Sequence, residues 1–482
     1  MLPEPVAGAA LVERAFSELD GDGTTPREHY RVLWDQLRDM GAGALAAKSR
    51  EVARALRADG VTFRVAADAE EGGERVWPFD VIPRIVPAPE WARIEAGLVQ
   101  RVRALNLFLQ DLYHGQRILK DGVVPPVLVY QGRDLRRDVM GVDPPGGVYT
   151  HVSGIDLVRD EHGDYLVLED NLRTPSGASY MLENRRIARR VLPELFARHR
   201  VRPIEDYPVR LLRALRCLAP RGARDAVVVL LTPGAYNPAY FEHVFLARAM
   251  GIELVEGRDL VVVDQIVYLK TTRGLRRVDV VYRRVDDAFL DPLCGRADSL
   301  VGVAGIVNAW RAGNVAIANA PGSGIADDKA IHPYVPAMIR YYLGEPPLLA
   351  NVPTYQMTDP EERRFVLAHL EEVVVKTVSE SGGYGMLIGP VSTPAQRVDV
   401  ARAILEQPRN YVAQPVIPLS RHVCWLGGRL ESRHIDLRPF AITGEDVDVV
   451  PGGLTRVALG RGSLVVNSSQ GGGSKDTWVL AG

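Results

Sequence analysis

Residues 151–171 constrain this chain more tightly than any other stretch. "HVSGIDLV" and "YLVLED" are apolar runs separated by a short polar segment with Gly163 in its turn. Such a pair is committed to an antiparallel hairpin. If Asp160 pairs with Tyr165 across a four-residue loop, Asp156 falls opposite Glu169. Side chains alternate faces along a strand, so Glu169 and Asn171 share a face and Asp170 turns to the other. Asp156, Glu169 and Asn171 then converge at one end of the hairpin. Two carboxylates and an amide oxygen are hard donors suited to Mg²⁺, which keeps several waters and bridges to nucleotide phosphates. A solvated strand end with a turn cluster explains the same residues, and this stretch alone leaves both readings open.

The continuation, "LRTPSGASYMLENRR", leads through Pro175, Ser176 and Gly177 into a helix. Its N-terminus is expected to face the same end of the hairpin, where free N–H groups and the helix dipole favour an anion. Arg173 is placed to meet a phosphate or carboxylate. Ser176 reads equally well as a plain N-cap.

A chain of 482 residues is expected to form two or three domains. Residues 1–120 read as mostly helical, with Trp91, Ile94, Leu98, Val102, Leu105, Leu109 and Leu112 in one stripe of a packing helix. Strands are expected at "VTFRVA" and "ERVWPFDVIPRIV". In residues 121–224, "VLVY" and the hairpin read as strands and "SYMLENRRIARRVLPELFARH" as one helix. In residues 225–324, "AVVVLLTP", "YFEHVFLARAMG", "IELVEG", "QIVYLKT" and "VDVVYRRV" alternate strand, helix and strand, a Rossmann-like α/β unit. "SLVGVAGIVNAWRAG" reads as a helix there and "NVAIANA" as a strand. Residues 325–482 read as a helix followed mainly by strands. The whole is a mixed α+β and α/β chain.

Composition removes several function classes. The formal net charge is −2, so no electrostatic case exists for nucleic acid or an anionic membrane. Cys217, Cys294 and Cys424 are odd in number and far apart, which fits reduced thiols in a cytoplasm rather than a disulfide framework or CxxC site. The start, "MLPEPVAGAALVERAF", lacks the basic and apolar regions of a signal peptide. The longest apolar runs, such as "AVVVLL", are too short to span a membrane. A homo-oligomer is compatible with these totals.

A second constellation lies in "VVVKTVSESGGYGMLIG". Val373–Val375 read as a strand with Lys376 at its end. The loop through Ser381, Gly382, Gly383, Tyr384 and Gly385 can bring backbone N–H groups over phosphates. It is not a Walker A loop, since it has no GK[ST] and a strand follows. Lys329 sits in "GSGIADDKAIHPYVP" at a loop-to-helix transition. "NYVAQPVIPL" is a strand broken at Gln414 and Pro415, which either offers polar groups to an adenine edge or is an edge strand. His151 and His434 flank these segments as ordinary hydrogen-bonded histidines.

Together these segments resemble the ATP-grasp carboxylate ligases. In that pattern "DDK" supplies Lys329, "VVVK" supplies Lys376, "SGGYG" the mobile phosphate loop, and "VAQPVI" the adenine hinge with Gln414 and Val416. "LTRVA…NSSQGGG" resembles the later segment that carries Arg456 and Asn467, and "GIDLV…LVLEDNLRTPSG" the metal-binding D…ExN. The metal segment here precedes the lysines, which implies a circular permutation. The chain is similar to glutathionylspermidine synthetase-like permuted ligases, and more so to the circularly permuted ATP-grasp type 2 proteins. The resemblance covers about residues 70–480.

It implies an ATP- and Mg²⁺-dependent ligase joining a small-molecule or peptide carboxylate to an amine acceptor through an acyl phosphate. Asp156, Glu169 and Asn171 would hold one or two Mg²⁺ ions. Lys329, Lys376, Arg173 and Arg456 would balance phosphate charge. An ATP-dependent phosphotransferase, or a nucleotide-binding partner protein with little turnover, stands as the alternative. The α/β unit is expected to help bind the acceptor, with Arg283, Arg284, Asp286 and Asp287 at a strand end. Alternation lets only one of the two arginines matter.

Overall fold

The computed structural model describes residues 15–20, 25–64, 74–220, 225–379, 385–467 and 471–482. A long helix, α1 (Arg31–Ala58), departs from helical geometry at Gly41. After β1 (Phe79–Val86) comes α2 (Ala88–Tyr113), on which all seven residues of the expected stripe are at most 1% exposed. α2 is buried well beyond that stripe. Gln100, Arg101, Asn106 and Asp111 are also inside, so it is a central helix and more than a packing layer. "VLVY" is not a strand. It forms α3 (Pro126–Tyr130), opened by Pro126 at the first turn, where a fixed φ and a missing N–H cost nothing.

The hairpin is β2 (Val152–Arg159) and β3 (Tyr165–Asn171). Its turn differs from expectation: Arg159, not Asp160, pairs with Tyr165. Continued without a break, that register would put Asp156 opposite Leu168. A bulge between Asp156 and Leu157 steps past Leu168, and Asp156 faces Glu169 after all. The expected single helix after it is two, α4 (Ala178–Val191) and α5 (Pro193–Arg198), because Pro193 cannot continue the ladder.

Next come β4 (Val228–Leu231), α6 (Tyr240–Met250), β5 (Glu253–Val255), β6 (Val280–Arg283), α7 (Ile306–Arg311) and β7 (Ala316–Ala318). The four strands form a parallel sheet in the order β7-β6-β4-β5. "QIVYLKT" does not join it, but lies in a separate three-stranded antiparallel meander over residues 260–277. The helix expected over "SLVGVAGIVNAWRAG" covers only α7, since Gly305, at φ 84°, precedes its first turn.

The last part runs α8 (Val335–Leu343), β8 (Ala350–Asn351), β9 (Tyr355–Gln356), α9 (Pro360–Ala368), β10 (Val373–Thr377), β11 (Leu387–Ile388), α10 (Pro394–Glu406), β12 (Tyr411–Pro415), β13 (Phe440–Thr443), β14 (Val447–Val449), β15 (Thr455–Val457) and β16 (Gly473–Val479). β9-β12-β10-β11 is an antiparallel sheet whose apolar face packs Val373, Val375 and Ala413 with Val366 of α9 and Ile404 of α10. A five-stranded sheet, β8-β3-β2-β13-β14, sets the hairpin beside strands from much later in the chain. β1 pairs in parallel with β16. Boundaries at 120 and 324 therefore do not separate sheets.

Candidate active site

One cavity of about 460 Å³ opens where these sheets meet. β2 and β3 contribute Asp156, Leu168, Glu169 and Asn171. The β9–β12 sheet contributes Val374, Lys376, Ile388, Gln414 and Pro415, with Val416 and Ile417 just beyond. Arg456 and Asn467 come from the C-terminal part, and Lys329 from the loop before α8. Arg284 and Asp286 after β6, and Asn237–Ala239 after β4, form the wall from the parallel sheet. Ten of the expected nucleotide, metal and catalytic residues (Asp156, Glu169, Asn171, Arg173, Lys329, Lys376, Gln414, Val416, Arg456 and Asn467) thus meet across more than 300 positions. Ser381, Gly382, Gly383 and Tyr384 lie outside the described residues, while Gly385 has a φ of 66°, a conformation glycine allows.

The acids divide by strand face as alternation requires. Glu169 faces the cavity, 3.5 Å from the Lys329 ammonium. Asp170 points away, but not to solvent: it is buried in a bidentate pair with Arg101 at 2.6 and 2.7 Å. Burial alone would raise its pKa, yet Arg101 and His332 hold it well below the usual range.

Asp156 receives bonds from Arg438 at 2.5 and 2.8 Å and from Arg456 at 2.6 Å. Burial pushes its carboxyl up, and the two guanidinium groups outweigh it and hold it at about 2. Arg456 also bonds Asp436. Among the described residues no group of three or more His, Cys, Asp or Glu is arranged to hold a metal. The cavity is instead lined by the Glu169 carboxylate and by Asn171, whose Nδ2 is buried without a hydrogen-bond partner among the described residues. A carboxylate and an amide oxygen are hard donors of the kind Mg²⁺ takes. Asp156 would join them only by releasing a guanidinium.

Lys376 donates to Gln414 Oε1 at 2.7 Å, and Gln414 Nε2 donates to Thr354 at 3.0 Å. The Gln414 side chain, in the cavity wall, thus ties the lysine to Thr354. The Gln414 strand is no edge, since β12 lies between β9 and β10. Desolvation in the cavity wall pushes the Lys376 pKa down to about 8, with Glu169 resisting and Lys329 reinforcing the shift.

The α4 N-terminus differs from expectation. Glu242 Oε2 accepts from Gly177 N at 2.8 Å and Ser179 N at 3.0 Å, so a carboxylate of the protein already sits where an anion was expected. The N-cap is Gly177, and Ser176 Oγ instead accepts from Arg284 at 2.6 Å. Arg173 lies among Asp327, Asp286 and Asp134, at 3.1, 3.6 and 3.8 Å. Those acids raise its pKa, and burial with neighbouring carboxylates pushes Asp134 up to about 7. Arg284 lines the cavity but is itself buried and paired with Glu242 at 2.9 Å, and Arg283 is buried behind it, bonded to backbone carbonyls and paired with Asp287 at 2.9 Å.

His151 is buried with neither ring nitrogen bonded, and burial lowers its pKa to about 3. It is not the hydrogen-bonded histidine expected. His434 Nδ1 donates to Leu419 O at 2.6 Å. Sequence reading missed Asp436 and Arg438, although "IDLRP" places them two apart, as one strand face requires. It also missed Arg101, hidden in an apolar helix stripe, and Trp77 with Tyr180, which stack at 3.8 Å in the cavity wall.

Lysines on strand and loop ends, acids on a facing hairpin and a cleft between two α+β sheets define an ATP-grasp protein. The chain belongs to the circularly permuted ATP-grasp type 2 family, whose model matches residues 83–458. It is 54% identical to an uncharacterized protein of Synechocystis sp. over 95% of both chains. It is 53% identical to an uncharacterized protein of Mycobacterium tuberculosis over 97% of this chain and 84% of that one. A Frankia alni protein provisionally named glutamate–cysteine ligase 2-3 is 44% identical over 99% of this chain, which spans 55% of its length. A glutathione synthetase-like effector from Globodera pallida shares the fold, with a TM-score of 0.57 at 11% identity, covering 91% of this chain and 98% of that one. No helix among the described residues is long and apolar enough to cross a membrane.

Proposed function

We propose that this protein is an ATP-dependent ligase that joins a carboxylate to an amine through an acyl phosphate. The observation that carries this reading is the 460 Å³ cavity. It brings Lys329, Lys376 and Arg456 together with the crevice between the C-terminal ends of β4 and β6. In the order β7-β6-β4-β5 the chain moves to one side of β4 and then to the other. That reversal is the place where open parallel sheets bind ligands. The family supports ATP and Mg²⁺ use in general, and the name of the Frankia relative supports a ligase.

Lys329, Lys376 and Arg456 balance the charge of the phosphates. Glu169 and Asn171, with Asp156 if it releases Arg438, would hold Mg²⁺, which when bound would supply positive charge at the phosphate oxygens. The substrate carboxylate attacks the terminal phosphorus and ADP leaves. The amine nitrogen then attacks the acyl carbon and inorganic phosphate leaves. Little covalent chemistry falls to side chains, so positioning and charge stabilisation carry the rate. Arg284 and Asp286 at the β6 end are the residues for the acceptor side, an arginine for a carboxylate and an acid for an amine.

The test incubates the protein with Mg²⁺, ATP and pairs drawn from amino acids, dipeptides and simple amines, following ADP, phosphate and new amides by mass. The expected result is ADP and phosphate in equal amounts with an amide, dependent on both partners. A phosphorylated acid that accumulates with no amide refutes the ligase and makes the protein a phosphotransferase.

A further inference from the structure

The two lysines have a second side. Behind them lies a small chamber of about 10 Å³, walled in part by Glu169, Asp170, Lys329, His332, Lys376 and Gln414. It shares Glu169, Lys329, Lys376 and Gln414 with the main cavity. The chamber also exposes the far face of β3. Asp170, gripped there by Arg101, stands 3.0 Å from His332 Nδ1. Arg101 Nη2 is farther from that nitrogen, at 3.2 Å, and is bonded to Asp170 Oδ2 at 2.7 Å. Arg101 Nη1 extends the network to Asn351 on β8 at 2.7 Å. All three residues of the Arg101–Asp170–His332 unit are buried.

A carboxylate held by a guanidinium accepts and does not donate, so His332 Nδ1 carries the proton and donates it to Asp170. The opposite nitrogen, Nε2, then keeps a lone pair. Nε2 is buried and has no hydrogen-bond partner among the described residues. A buried acceptor of this kind calls for a donor. The chamber that His332 helps to wall has Lys329 and Lys376 in its other walls. A space of about 10 Å³ is at the lower limit for one water, and a water needs two to four polar partners, which these walls supply. The ring comes to this place because "DDKAIHP" sets His332 three residues after Lys329.

We propose that His332 is a positioning residue: one water in the chamber donates to its Nε2 and accepts from the lysine ammonium groups, so the Arg101–Asp170–His332 unit sets where Lys329 and Lys376 stand. This rests on the reading of those lysines as nucleotide-phosphate groups.

Two substitutions separate the edges of the ring. His332→Asn keeps a donor toward Asp170 and loses the acceptor in the chamber. His332→Gln reaches the acceptor position and loses the Asp170 bond. The full-length chain is tested by calorimetric titration with ATP and with AMP, beside thermal denaturation. His332→Asn should melt close to wild type, bind ATP about tenfold more weakly (about 1.4 kcal/mol), and bind AMP within about twofold of wild type. His332→Gln should melt lower and still recover most of the ATP affinity. The proposal is overturned if His332→Asn binds ATP as wild type does, or if both variants lose ATP and AMP binding equally. A nucleotide-free measurement stands beside these. In ¹⁵N-histidine spectra, with the resonance assigned by its loss in His332→Asn, the Nδ1–H tautomer is expected, and an Nε2–H tautomer overturns the proposal. If wild type binds no ATP at all, the ligase reading fails, and the tautomer still decides whether His332 presents a lone pair.

Discussion

Lys376 ties nucleotide affinity to pH. Desolvation in the cavity wall lowers its pKa from the usual 10.5 to about 8. That difference opposes the charged form by roughly 3 kcal/mol. Phosphate arriving at the ammonium favours the charged form again, so between about pH 8 and 10.5 the nucleotide complex holds one more proton than the free protein. ATP affinity should therefore be flat below pH 8 and fall above it, by up to about tenfold per pH unit. AMP, which offers no β- or γ-phosphate, should show a much shallower fall. Titration calorimetry at pH 9 in buffers of different ionisation enthalpy should detect uptake of close to one proton with ATP. Stability follows the opposite course. The unfolded chain keeps the lysine protonated up to 10.5, so the folded state gains stability as pH rises from about 8 to 10.5. Lys376→Met removes the desolvated ammonium, so it should melt higher than wild type in the absence of nucleotide while losing ATP binding. An ATP affinity constant from pH 7.5 to 9.5, with no proton uptake, would refute the phosphate role of Lys376.

Four further substitutions test site and scaffold. Glu169→Ala should abolish Mg²⁺-dependent turnover with little change in melting temperature, because Glu169 faces the cavity. Asp170→Asn leaves Arg101 buried without its carboxylate partner; a loss of about 3 kcal/mol of folding stability is expected in denaturant titration. Of the two arginines at the end of β6, Arg284→Gln should impair ligation with ATP affinity intact, read as turnover beside calorimetry, and should also lower the melting temperature, because it leaves the buried Glu242 carboxylate without its ion pair. Arg283→Gln should lower the melting temperature with ligation by the folded protein kept, since its partners are backbone carbonyls and Asp287.

Local pattern carried much of this architecture. A two-residue period put Glu169 and Asn171 on the cavity face and Asp170 on the other. A three-to-four-residue period marked the buried stripe of α2, and the strand–helix alternation after residue 225 marked the parallel sheet. Each is a property of side-chain direction along a few residues of backbone, so neighbours in sequence suffice to determine it. The Asp156–Glu169 pairing shows where this stops. The expected loop was one residue too short, and a bulge past Leu168 restored the pairing, which no local period announces. What partners each charge was decided in three dimensions. Asp156 meets Arg438 and Arg456 from about 300 residues away. Glu242 claims the α4 N-terminus, and Gln414 is taken by Lys376. Burying a charge is costly unless an opposite charge or hydrogen bond meets it, and the chain meets that demand with whichever residue the packed sheets bring near. Motifs therefore indicated which side chains gather at the cavity, while the tertiary structure decided which of them still have a hand open toward a ligand.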